Sequence, residues 1–103
     1  MLQLTVLYPQ PADVQQFEAD YITHTALLHE KMGIPLDAKP YTTIKFLGNS
    51  AGPAPYYRLF AMPFESLEIL QAVMSSPGMQ AVAADAIRIS TGGPISILIG
   101  EVE

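Results

Sequence analysis

The sequence contains no cysteine and no tryptophan. Without cysteine, disulfides, thiolate nucleophiles and cysteine-based metal sites are excluded. Basic residues are scarce: the five present (Lys31, Lys39, Lys45, Arg58, Arg88) are scattered, form no stripe, and leave a net charge of −5. Nucleic acid is therefore not an expected partner. No apolar run approaches the ~18 residues of a membrane span. The N-terminal MLQLTVLYP has no basic segment ahead of its apolar residues and runs straight into turn residues, unlike a signal peptide. The expectation is a cytoplasmic protein with no membrane association. Only 15% of the residues are charged and half are hydrophobic, which predicts a packed core rather than disorder. With 103 residues the chain is expected to form one domain, 1–103.

The longest periodic stretch is DVQQFEADYITHTALLHEKMG, Asp13 to Gly33. Val14, Phe17, Tyr21, Leu28 and Met32 recur as on a helix face laid against a core. His24 lies about 50° from the middle of that stripe at ~100° per residue, so its imidazole is aimed toward the interior. His29 is expected to face solvent. Asp13 suits an N-cap with Gln16 in capping-box position, Gly33 a C′ residue, and Pro35 blocks continuation.

Ahead of this helix, Leu2, Leu4, Val6 and Tyr8 alternate as in a strand that Pro9 and Pro11 end. Beyond it, Tyr41–Leu47 reads as a second strand and Gly48–Pro55 as a loop. A third strand starts at Tyr56. Tyr56, Arg58, Phe60 and Met62 alternate on one face, with Tyr57, Leu59 and Ala61 on the other. Ser66 to Ala84 is helical with a break at Ser75-Ser76-Pro77-Gly78, where Ser76 caps a second short helix. Ala86 to Pro94 is expected to be a turn region, and Ile95–Val102 a last strand.

The order β-α-β-β-α-β is that of an α+β, ferredoxin-like fold: a four-stranded antiparallel sheet with its helices on one face. The other sheet face would be left uncovered. Its mixed, partly bulky residues suit packing on a second copy, so a homodimer is expected.

Several stretches taken together resemble the EthD family, named for ethyl tert-butyl ether degradation. They are LTVLYPQPAD (Leu4–Asp13), the helix residues Phe17, Tyr21 and His24, PAPYYRL (Pro53–Leu59), FESLEILQAVMSSP (Phe64–Pro77) and TGGPISILIG (Thr91–Gly100). The resemblance spans nearly the whole chain. It implies a dimeric α+β barrel in which the sheets of two protomers close together. Members of that superfamily include cofactor-independent monooxygenases, isomerases, dehydratases and haem-degrading enzymes, and EthD proteins accompany a cytochrome P450 system. The family usually carries His-x-Pro-Leu at the helix histidine; here the run is His24-Thr25-Ala26-Leu27, so the helix continues without a kink.

His24 is the main candidate for chemistry. An imidazole in an apolar cleft can serve as general base or polarise a carbonyl near neutral pH. The structural alternative is a core histidine bonded to a backbone carbonyl. The resemblance, in which a histidine recurs at this place, weighs for the catalytic role. Tyr21 and Tyr57 are candidates to orient a substrate, Phe17 and Phe60 to wall an apolar pocket, and Arg58 to bind a carboxylate. Each has a structural alternative as core or, for Arg58, as an ion pair across the dimer. No metal site is expected, because His24 and His29 are five apart and diverge on a helix. No cofactor motif is legible. Two readings follow. One is a cofactor-independent oxidoreductase, isomerase or lyase acting on a small apolar or aromatic carbonyl compound, bound in a cleft between helices and sheet. The other is a non-catalytic dimeric accessory protein for a P450-type system.

Overall fold

A computed structural model describes all 103 residues, Met1–Glu103. Seven elements follow in order: β1 (Leu2–Pro9), α1 (Val14–Met32), β2 (Thr42–Lys45), β3 (Tyr56–Phe64), α2 (Leu67–Met74), α3 (Pro77–Ile89) and β4 (Ser96–Glu101). The strands form one antiparallel sheet in the order β2-β3-β1-β4, with the helices on one face: the ferredoxin-like arrangement the sequence predicts. No helix is long and apolar enough to cross a membrane.

The helix termini follow from local chemistry. The Asp13 carboxylate accepts from the Gln16 amide, and Gly33 takes the left-handed conformation (φ 65°) that ends α1. Ser66 and Ser76 cap α2 and α3, and Pro77 opens α3, where a missing N–H costs nothing. Inward residues of β1 and β3 (Leu4, Phe60, Phe64) pack with Leu28, Leu70, Met79 and Val82. A second cluster joins Tyr8, Phe17, Tyr21, Tyr57, Ala86 and Ile89. Each large side chain buried here contributes roughly 1.5–3 kcal/mol.

Four expectations need correction. Helix α3 runs to Ile89 instead of giving way to a turn at Ala86, because Ala86 and Ile89 extend the buried face of Met79 and Val82. Tyr57 does not share a face with Leu59 and Ala61. The register of β1 with β3 shifts between Tyr8 and Pro9, and this bulge swings Tyr57 under α1, its ring edge-on to Phe17. His29 is buried rather than turned to solvent. The chain after Gly33 folds back over it: Nδ1 donates to the carbonyls of Ile34 and Pro35, and Nε2 accepts from the Tyr41 hydroxyl at 2.7 Å. Arg58 finds its acid within the chain, on α1, and not across an interface.

Candidate active site

Two polar assemblies lie along α1, one on each side of its buried stripe. The first is built on His24, which is 7% exposed. Its Nδ1 is 2.8 Å from Asp85 Oδ2 on α3, and Asp85 Oδ1 accepts from Arg88 Nε, also at 2.8 Å. An ionised carboxylate only accepts, so in the neutral ring Nδ1 carries the proton and Nε2 keeps the lone pair. Burial alone would raise the Asp85 carboxyl. The hydrogen bonds and charges of His24 and Arg88 outweigh it and hold the group below the usual carboxylate range.

Nε2 faces the Tyr8 hydroxyl at 3.5 Å, too long for a strong hydrogen bond. Tyr8 and His24 both line a cleft between α1, α3 and the sheet with a volume of ≈ 40 Å³. One water needs about 10–15 Å³, so this is room for about three, and a ring-sized ligand enters only if lining side chains give way. The wall is almost wholly hydrophobic: Leu4, Leu28, Phe60, Val82, Ala86 and Ile97 are among the lining residues, with Thr25 the other polar group. Burial, with the Tyr21 phenol and the Asp85 charge nearby, pushes the Tyr8 hydroxyl well above the ordinary phenol range, so it stays protonated.

The second assembly centres on Glu18. Its Oε1 accepts from Tyr57 Oη at 2.7 Å and from Lys45 Nζ at 3.3 Å, and its Oε2 from Arg58 Nη2 at 2.8 Å. Burial would raise this carboxyl, but these donors and the Arg58 charge bring it down to about 2. The Arg58 guanidinium lies 4.5 Å from the centroid of the Tyr21 ring, a cation–π contact. Burial pushes the Tyr21 hydroxyl up to about 12, with Arg58 opposing. Neither the Tyr21 hydroxyl nor Arg58 Nε has a hydrogen-bond partner in the chain.

Of the residues singled out from sequence, His24 and Phe60 line the cleft. Tyr21, Phe17 and Tyr57 stand beside it in the aromatic cluster, Phe17 and Tyr21 stacked with centroids 5.7 Å apart. Arg58 and the Tyr57 hydroxyl are occupied by Glu18. Sequence reasoning passed over Asp85, Tyr8 as a polar group, and Glu18. A signal for Asp85 existed: continuing the spacing of Met79 and Val82 to Ala86 and Ile89 places a carboxylate at the border of α3's buried face. Nothing in the sequence ties that position to His24, 61 residues away. No three His, Cys, Asp or Glu side chains gather as metal ligands.

Comparison with solved structures finds similar chains. An ethyl tert-butyl ether degradation (EthD) family protein from Bacillus halodurans matches with a TM-score of 0.85 and 27% identity, over 100% of this chain and 99% of that one. A dimeric ferredoxin-like protein of unknown function from Jannaschia sp. matches at 0.72 with 13% identity, covering 99% and 100%. The hydroxynitrile lyase from Passiflora edulis matches at 0.71 with 12% identity, covering 99% and 94%. The last two are likenesses of fold alone. No family model matches the chain, and no curated protein does.

Proposed function

The chain is EthD-like along its whole length, and from that premise we propose that it is an enzyme moving protons on a small apolar or aromatic carbonyl compound. The reaction class is a cofactor-independent isomerisation, lysis or oxidation within the degradation of organic compounds. The observation that carries the reading is the His24–Asp85 pair at 2.8 Å, with the His24 ring in the lining of an apolar cleft. His24 is the acid/base and Asp85 a positioning residue that selects the tautomer. Arg88 steadies Asp85 from the solvent side. We also infer one domain over 1–103 that works as a homodimer. The open sheet face supports this, as do similar solved structures described as dimeric.

The test is exchange of the methyl protons of acetophenone in D₂O, followed by proton NMR. The protein is expected to accelerate exchange over buffer. His24→Ala should lower the protein-catalysed rate by about 10²–10⁴. Asp85→Asn should lower it as well, since an amide can donate to Nδ1 and move the ring proton to Nε2. Exchange that survives His24→Ala unchanged sinks the catalytic assignment. Binding of acetophenone with no acceleration favours the second reading, a non-catalytic binding or accessory protein for a P450-type system.

A further inference from the structure

We propose that Tyr8 receives the oxygen of the substrate, and that the cleft selects uncharged carbonyl compounds against carboxylates. This rests on the acid–base reading of the His24 cleft and names the substrate's charge and the residue that seats it.

The first support is geometric. The Tyr8 hydroxyl and His24 Nε2 lie 3.5 Å apart, and both residues line the cleft. At that distance the hydroxyl hydrogen is weakly engaged, and an oxygen entering the cleft gives it a better acceptor. Tyr8 is 1% exposed, and its ring is pinned edge-on by Phe17 and Tyr21 at centroid distances of 5.4 and 5.7 Å. The donor is therefore preorganised. The hydroxyl is a neutral donor, kept protonated by its surroundings.

The second support is where the positive charge sits. None of the five basic side chains lines the cleft. Arg58 and Lys45 are bound to Glu18, and Arg88 to Asp85. Lys39 donates to Thr43, and Lys31 is exposed near the end of α1. The nearest formal charge to the cleft is negative, the Asp85 carboxylate behind His24. A carboxylate in this cleft would lose its hydration without gaining a cation.

The chemistry closes on these two groups. Nε2 takes a proton from the carbon beside the carbonyl. The C–H electron pair becomes the new C=C bond, the C=O π pair moves to oxygen, and Tyr8 donates a hydrogen bond to the enolate oxygen. Return of the proton from Nε2 to the same or a neighbouring carbon regenerates the ring.

The test compares three probes of similar size by NMR titration of the wild type and Tyr8→Phe, reading the methyl signals of Ala83, Ala86 and Ile95. The probes are acetophenone, benzoate and ethylbenzene. The wild type is expected to bind acetophenone at least tenfold more tightly than benzoate. Tyr8→Phe should weaken acetophenone roughly five- to tenfold, as for loss of one hydrogen bond, and leave ethylbenzene unchanged. Benzoate binding as tightly as acetophenone overturns the charge selection. An unchanged ratio of acetophenone to ethylbenzene in Tyr8→Phe overturns the role of Tyr8, while His24-dependent exchange keeps the acid–base reading standing. If none of the probes moves these methyl signals, the cleft is not a small-molecule site and both readings fall together.

Discussion

Three donors converge on Glu18 of α1: a phenol, a guanidinium and an ammonium. Its folded carboxyl lies near 2 against an ordinary 4.5. A group whose folded value is depressed holds its proton more weakly in the native state. Its stabilisation is therefore complete above pH 4.5 and is lost as pH falls toward 2. Asp85 is shifted in the same direction and adds to the same slope. Lys45 is half exposed and contributes little. Urea midpoints measured at pH 6, 4 and 3 should fall steeply for the wild type. Glu18→Gln should be less stable at pH 6 and show a shallower fall. Parallel curves for the two proteins would mean that the Glu18 network does not couple to folding.

At the scale of elements, Gly92 shows what the α3–β4 turn is for. A Cβ there would run into the Gln10 carbonyl oxygen, an impossible contact with backbone. The turn is pressed against the β1–α1 connection, and further bonds sew the two together: the Ala12 amide donates to Thr91 Oγ1 at 3.1 Å. Gln10 in turn donates to the carbonyls of Ala54 and Tyr56 at 2.9 and 3.2 Å. Gly92→Ala is expected to destabilise by about 1–3 kcal/mol or more, lowering the Tm by roughly 5–20 °C. Gly100→Ala, where a Cβ meets nothing within 4 Å, should stay within about 0.5 kcal/mol of wild type. A Gly92→Ala protein as stable as Gly100→Ala would show that the turn can retreat from Gln10 at no cost.

The same loops explain what could be read in advance. Caps, proline stops and alternation are local signals, so α1, the break between α2 and α3, and the order of elements along the chain are legible, and so is His24 as an inward residue. The end of α3 was obscured because Gly92-Gly93-Pro94 suggested a turn that starts four residues early, which hid Asp85 from view. Alternation carries no trace of a bulge, so it puts Tyr57 on the face of Leu59. A helical wheel does not see the Ile34–Tyr41 segment returning over His29, so it leaves that residue in solvent. The partners of His24 are joined to it by tertiary packing alone, and that information is spread over the whole chain.

At the scale of the molecule, the sheet face turned away from the helices has no cover within the chain. The register puts Ile44, Leu59 and Leu7 side by side across three strands, with Thr42, Ala61, Thr5 and Leu98 in the next row. Ile44 is 43% exposed and Leu98 53%. A mixed face carrying four bulky aliphatic side chains suits a second sheet stacked about 10 Å away. An arginine at Ala61, in the middle of the central strand β3, would bring two guanidinium groups into that interface without a counter-charge. Ala61 is only 7% exposed, its small side chain sunk among its sheet neighbours, but the register places it on the face opposite Phe60 and the His24 cleft. Light scattering on a sizing column should give the wild type twice the chain mass of 11.2 kDa. Ala61→Arg should run at the single-chain mass with an unchanged far-ultraviolet circular dichroism spectrum. A wild type that is monomeric at micromolar concentration would remove the dimer. A dimer that tolerates Ala61→Arg would move the interface elsewhere, to the free edge of β4, where Ile97, Ile99 and Val102 are about half exposed.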